Sequence, residues 1–187
     1  MAKGLALIVS GPSGSGKDTI LRRLFEQHPE IKFSISTVTR QKRGNPDEDS
    51  KYNFVTRAEF EQMIANDEFL EYNQYLDNYY GTPKKPVISA IEKGDVIILE
   101  IDVNGAANIR KNLIGVKSVF IMPPSMEVLE HRLSGRGTDD PDTVAKRIEQ
   151  AKCEIARRNE YDYIVVNGEL EKAVDELYNI INEIKSL

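Results

Sequence analysis

The chain has 187 residues, which suits one domain with a buried core and an insertion rather than a multi-domain assembly. Its 25 Lys and Arg against 30 Asp and Glu leave a formal net charge of −5, which argues against a general nucleic-acid coat and confines anion binding to local groups of basic residues. One cysteine, Cys153, excludes an intramolecular disulfide and a cysteine-rich zinc site, and two histidines, His28 and His131, leave no histidine metal cluster.

The first apolar run, Leu5 to Val9, is also the longest. It falls short of the ~20 residues of a membrane span and the ~7 of a signal-peptide core, so a soluble cytoplasmic protein with no membrane association is expected. Because the run is continuous rather than alternating, it suits a strand covered on both faces. Ile20, Leu21, Leu24 and Phe25 then follow helical spacing. Thr56 with Glu59 forms a capping box ahead of Phe60, Met63 and Ile64, and Gly94 closes a turn after Ile91. Further strand-like runs occur at Val96 to Leu99, Val119 to Met122 and Ile164 to Val166. Val144, Ile148, Ala151 and Ile155 mark a long helix with Pro141 at its first position, and Val174, Leu177, Ile181 and Ile184 mark the last helix. Cys153 lies off the apolar stripe of its helix.

This alternation predicts an α/β protein with a parallel sheet flanked by helices. Two stretches interrupt it. From about Phe33 to Pro86 the chain holds Tyr52, Tyr72, Tyr75, Tyr79 and Tyr80, short β-like pieces such as Phe33 to Val38, and the charged loop Gly44 to Lys51. It reads as an inserted mixed α/β lobe. Ser134 to Asp142, rich in Gly and Asp, reads as a short mobile lid. The expected organisation is one domain: a core of residues 1–32 and 87–187, a lobe at about 33–86, and a lid at about 134–142.

Ser10 leads into Gly11-Pro12-Ser13-Gly14-Ser15-Gly16-Lys17, followed by a helical pattern from Asp18. Strand, glycine-rich turn, lysine and helix in that order make a phosphate-binding loop of the P-loop NTPase type. Glycines let successive backbone N–H groups converge, the helix N-terminus adds positive potential, and the lysine neutralises phosphate oxygens. Asp18, then Thr19, stands where Ser or Thr usually follows the lysine to meet Mg²⁺. A carboxylate beside bare phosphates is repulsive, so Mg²⁺ is expected to offset it, held by Asp18 directly or through water. Glu100 and Asp102, at the end of a buried run, are placed for a carboxylate that organises the metal.

Within the insertion, Arg40, Arg43, Tyr52 and Tyr80 suit a dianionic phosphate, with guanidinium forks and phenol donors. Two arginines three apart would otherwise be a solvated basic face; the tyrosines and Glu71 tip the reading towards a site. Ser36, Glu71 and Thr82 suit a base edge. Guanine offers N1–H and an exocyclic amine side by side to one carboxylate, whereas adenine turns a lone pair towards it. Tyr79 is assigned to packing.

The phosphate loop, Ser36-Thr37-Val38-Thr39-Arg40 with Arg43 and Gly44, Tyr52-Asn53-Phe54, Glu68-Phe69-Leu70-Glu71, Asn78-Tyr79-Tyr80-Gly81-Thr82, Leu99-Glu100-Ile101-Asp102, Pro123-Pro124-Ser125, and Arg132 through Gly135-Arg136-Gly137-Thr138 together resemble the guanylate kinase family in order and spacing. The resemblance covers nearly the whole chain. It implies a P-loop core, a GMP-binding lobe and a lid, and Mg²⁺-dependent transfer of the γ-phosphoryl group of ATP to GMP and dGMP. By it, Ser36 and Glu71 would contact guanine, Arg40, Arg43, Tyr52 and Tyr80 the GMP phosphate, and Thr82 and Asp102 would assist. Gly11 to Thr19, Arg132, Arg136 and Asn167 would take ATP. Lys17, Arg40, Arg132, Arg136 and Arg147 would carry the transfer, and Asp18 and Glu100 the metal. Departures are Asp18, Thr82 where the family often has Ser, and Glu100 where Asp is frequent. Another nucleotide or ribose-phosphate kinase on the same scaffold, and a non-catalytic phosphopeptide-binding module, are the alternatives.

Overall fold

Leu5–Ser10 (β1) is buried along its whole length and lies at the centre of a five-stranded sheet. The computed structural model describes residues 4–75, 77–135 and 141–187. Strand β1 pairs in parallel with Val96–Glu100 (β7) on one side and Lys117–Met122 (β8) on the other. Lys32–Phe33 (β2) extends the sheet beyond β7, and Tyr163–Val166 (β9) extends it beyond β8, giving the order β2-β7-β1-β8-β9. The four apolar runs are therefore strands of one parallel sheet. Phe33 opens the inserted stretch in the sequence, yet it pairs with Ile98 of the core. The lobe begins after it.

Because side chains alternate along a strand, the three central strands feed two apolar layers. Leu5, Leu7 and Val9 pack on one face with Ile20, Leu21 and Leu24 of Lys17–Gln27 (α1) and with Val174, Leu177 and Ile181 of the C-terminal helix Leu170–Ser186. Ala6 and Ile8 pack on the other with Val87 and Ala90 of Lys84–Glu92 and with Val103, Ala106 and Ile109 of Val103–Asn112. Burying each such Leu, Ile or Val is worth about 1.5–3 kcal/mol relative to exposure, so both faces must be covered. A smaller cluster joins Leu129 and Leu133 of Met126–Ser134 to Ala151 of Pro141–Ala156. Pro141 is the first helical residue as expected. Cys153, on that helix, is exposed.

The lobe carries a second sheet in the order β4-β3-β6-β5, formed by Ser36–Val38 (β3), Tyr52–Phe54 (β4), Phe69–Tyr75 (β5) and Asn78–Pro83 (β6). The short helix Pro46–Asp49 (α2) lies between β3 and β4 and allows those two to pair in parallel. Arg57–Ala65 (α3) starts with the complete Thr56/Glu59 capping box and drives Phe60 between Phe69 and Tyr79, with ring centroids at 4.4 and 5.1 Å. Tyr79 is thus a packing residue. A Cβ on Gly81 would meet the Phe69 ring at 2.8 Å, which explains glycine in the middle of β6.

In chain order the remaining α-helices are α4 (Lys84–Glu92), α5 (Val103–Asn112), α6 (Met126–Ser134), α7 (Pro141–Ala156) and α8 (Leu170–Ser186). The β5 edge of the lobe sits on α5, where the Asn112 amide donates to the Leu70 carbonyl at 2.7 Å. The β4 edge lies on the opposite side of the lobe sheet. Among the described residues, no helix is long and apolar enough to cross a membrane.

Candidate active site

All core strands run parallel, so the residues that leave their C-terminal ends, Ser10, Glu100, Met122 and Val166, share one edge of the sheet. At this edge β1 turns into the glycine-rich loop. Gly14 and Gly16 adopt φ of +85° and +84°, and a Cβ on Gly14 would also press on Leu129 of α6 at 2.9 Å. Gly16 caps α1 without a side-chain acceptor, so the helix presents its N-terminus to the loop. The loop, with His131, Arg132, Gly135, Asn167, Gly168 and Leu170, lines a cavity of about 750 Å³.

Side chains from three later elements fix that loop. Arg132 of α6 donates to the carbonyls of Gly14 and Ser15 at 3.3 and 3.2 Å and to that of Asn167 at 3.4 Å. Asn167, following β9, is buried and donates its amide to the Ser15 carbonyl at 2.8 Å. Arg147 of α7 reaches the Ser13 hydroxyl at 2.7 Å. The Ser15 hydroxyl is buried without a hydrogen-bond partner among the described residues.

A second cavity, of about 320 Å³, opens between core and lobe, and Ser36, Tyr52, Glu71, Tyr80, Asp102 and Glu154 line it together with Gly11, Ser13 and Lys17 of the loop. Glu71 is buried, and its Oε1 accepts the Thr82 hydroxyl at 2.7 Å. Burial pushes the Glu71 carboxyl up from its ordinary value, Asp102 pushes the same way, and the bonds from Thr82 oppose them. Asp102 caps α5, its Oδ1 accepting the amides of Asn104 and Gly105 at 2.8 Å each. Gly105 lets α5 approach Glu71; a Cβ there would lie 3.3 Å from Oε2.

Next to this cavity lies one of about 290 Å³ lined by Lys17, Asp18, Arg40, Arg43, Lys51, Tyr52, Tyr80 and Glu100. Arg40 lies over the Tyr52 ring at 4.8 Å and the Phe54 ring at 5.2 Å, and 3.6 Å from Asp49 of α2. Burial raises the Asp49 carboxyl, but the amides of Arg43 and Gly44 and the Arg40 guanidinium outweigh it and leave a net lowering. Burial, then the nearby Glu100 charge, pushes the Tyr52 phenol up, keeping it a neutral donor. Lys17 pairs with Glu100 and lies 3.4 Å from Asp18, while Lys51 lies 3.3 Å from each of these carboxylates. Asp18 is held well below the usual carboxylate range, through a shared hydrogen bond with Glu100 and then the charges of Lys17 and Lys51, with burial opposing.

A family model described as guanylate kinase matches residues 3–184. The chain belongs to the guanylate kinase family. A guanylate kinase of Carboxydothermus hydrogenoformans is 46% identical over 97% of the chain and 89% of its own length, and one of Synechocystis is 42% identical over 97% and 95%. The crystal structure of guanylate kinase from Anaplasma phagocytophilum superposes with a TM-score of 0.79 at 33% identity, covering 99% of this chain and 88% of that one.

Most of the residues singled out from the sequence come together on these cavities. Gly11 to Thr19, Arg132 and Asn167 meet at the loop, Ser36, Glu71 and Asp102 at the inter-lobe cavity, and Arg40 and Arg43 beside Lys17, Asp18 and Glu100, with Tyr52 and Tyr80 lining both of the latter cavities. Three of these residues are engaged with the protein itself. Asn167 donates its amide to the loop backbone, and Thr82 is buried behind Glu71. The Arg132 guanidinium faces loop carbonyls. Arg136, and with it residues 136–140 of the expected lid, lies outside the described residues. The sequence reading passed over Lys51 and Glu154. Lys51 stands directly before Tyr52, but a lysine closing a charged loop has no signal of its own, and Glu154 is one acid among many on α7.

Proposed function

We propose that this member of the guanylate kinase family transfers the γ-phosphoryl group of ATP to GMP, and to dGMP, by direct in-line displacement, giving ADP and GDP in cytoplasmic purine nucleotide metabolism and GMP recycling. The observation that carries the choice of acceptor is Glu71. It is a buried carboxylate on the cavity between lobe and core, while Arg40 and Arg43 line the adjoining one. A monophosphate spanning the two cavities presents its base to Glu71 and its phosphate to the arginines. The carboxylate accepts from guanine N1–H and the exocyclic amine together, and adenine leaves it buried and unpaired. The Thr82 hydroxyl orients Glu71, Ser36 adds a contact to the base, and the Asp102 oxygen not used as a helix cap is available to guanine.

The acceptor is a phosphate oxygen already ionised near neutral pH, so the reaction needs no general base; its obstacle is bringing two polyanions into line. Arg40 and Arg43, with the phenols of Tyr52 and Tyr80, hold the acceptor phosphate. The loop amides, Lys17 and the Thr19 hydroxyl hold the ATP phosphates. Arg132 and Asn167 support the ATP site by bracing the loop. Arg147, already bonded to Ser13, joins Arg136 in closing over the transferred group and excluding water. Asp18 and Glu100 suit Mg²⁺, an ion that takes one or two carboxylates and completes its shell with phosphate oxygens and water. When bound, Mg²⁺ neutralises phosphate charge.

An acceptor panel in a coupled ADP assay tests this reading. GMP and dGMP should be phosphorylated only with Mg²⁺ present, and AMP, CMP and UMP should be poorer by about 10⁴-fold in kcat/KM, as expected of a site built on substrate hydrogen bonds. AMP or a pyrimidine nucleotide as the better acceptor would overturn it, as would binding of ATP and GMP without turnover.

A further inference from the structure

Lys51 is a residue of this site that neither the phosphate loop nor the base pocket accounts for. It precedes β4, at the lobe edge remote from the β5–α5 seat, and carries its ammonium across the cleft to the core. There it lies 3.3 Å from Asp18 Oδ1 and 3.3 Å from Glu100 Oε2. Lys17 engages the same two carboxylates. Two ammoniums and two carboxylates therefore form a neutral set at the junction of the cavities, beside Arg40, Arg43 and Tyr52. A lysine tied to two carboxylates adds little to phosphate binding, because its charge is already met; a lysine released from them adds a full charge.

We propose that Lys51 is a further substrate-binding residue of the transfer, held by Asp18 and Glu100 until a divalent cation takes those carboxylates and then turned onto the acceptor phosphate. The exchange also gives the unusual aspartate after Lys17 a purpose. Asp18 stores a cation from the lobe beside the loop, instead of repelling the incoming phosphates. The idea rests on the proposed Mg²⁺-dependent transfer to GMP, and it assigns the metal a second effect, that of freeing a cation of the chain itself.

The test is a metal-dependent binding penalty in Lys51→Met, with Lys51→Arg as the variant that keeps the charge and wild-type protein as reference. GMP affinity is measured by calorimetry with and without Mg²⁺ and ADP. The expected result is a loss below about 2-fold in Lys51→Met without them and about 10-fold with them, with Lys51→Arg close to wild type in both. A penalty equal in both conditions, or none in either, overturns the exchange. In parallel, Mn²⁺ binding to the protein without nucleotide is followed by paramagnetic resonance. Lys51→Met should bind Mn²⁺ about 10-fold more tightly than wild type, because nothing from the lobe then competes for the carboxylates, and unchanged affinity also overturns the proposal. Wild-type protein that fails to bind GMP at all contradicts the proposed acceptor instead, so the two failures are distinct.

Discussion

Glu71 carries opposite demands. Ionised and buried, it is suited to a base with two adjacent donors, yet burial and Asp102 raise its carboxyl above the ordinary 4.5. Below 4.5 the group is protonated in folded and unfolded chains alike; as pH rises, the unfolded chain releases its proton first, so Glu71 subtracts stability as pH climbs through its folded value. Glu71→Gln should therefore melt above wild type at pH 7, with the difference shrinking towards zero below about pH 4.5, and should lose about 10- to 100-fold in kcat/KM for GMP. Thermal melts across that pH range and acceptor kinetics check both halves; a variant less stable at pH 7 contradicts the sign. Glu71 and Arg40 were legible in the sequence because their neighbours repeat a long pattern. Lys51 was not, since its meaning comes from Asp18 and Glu100, 33 and 49 positions away, reached only once the lobe is folded onto the core. The bonds of Thr82 to Glu71 and of Asn167 to the Ser15 carbonyl were not legible either, because sequence cannot say which way a buried polar group turns.

Helix α5 does two jobs at its first turn. Its cap, Asp102, satisfies two backbone amides, and the helix carries the Gly105 on which Glu71 rests. Asp102→Ala should cost about 1 kcal/mol of stability through the lost cap, whereas Asp102→Asn, an equally good cap, should hold stability while changing GMP affinity. Equal destabilisation in the two variants would show that the cap contributes nothing. Among the elements, the buried strands announced themselves as continuous apolar runs and α3 by its capping box. Strand β2 was read only as the start of the β-like stretch Phe33 to Val38 of the lobe, because two residues at a sheet edge, one exposed and one half-buried, form no pattern of their own. Its place follows from tertiary pairing with β7, which sequence periodicity does not encode.

Over the whole molecule, the lobe rests on α5 by its β5 side, while its β4 side meets the core through charged groups. The loop is braced in turn by residues from α6, α7 and the end of β9. Ligands at the two proposed nucleotide sites thus join segments from most of the chain, and each should stabilise the whole fold by mass action. At 100-fold excess over its dissociation constant, ADP with Mg²⁺ or GMP alone should each add about 2.7 kcal/mol. The pair should add roughly the sum if the sites are independent and more if they cooperate, which melts with each ligand and with both distinguish. Stabilisation by GMP but not AMP would follow from Glu71. The chain's lone thiol offers a way to watch these events. Cys153 is exposed on α7, next to Glu154 on the inter-lobe cavity and six positions after Arg147, so a single maleimide dye or spin label attaches there without mutagenesis and reads out, in real time, how that helix responds to each nucleotide.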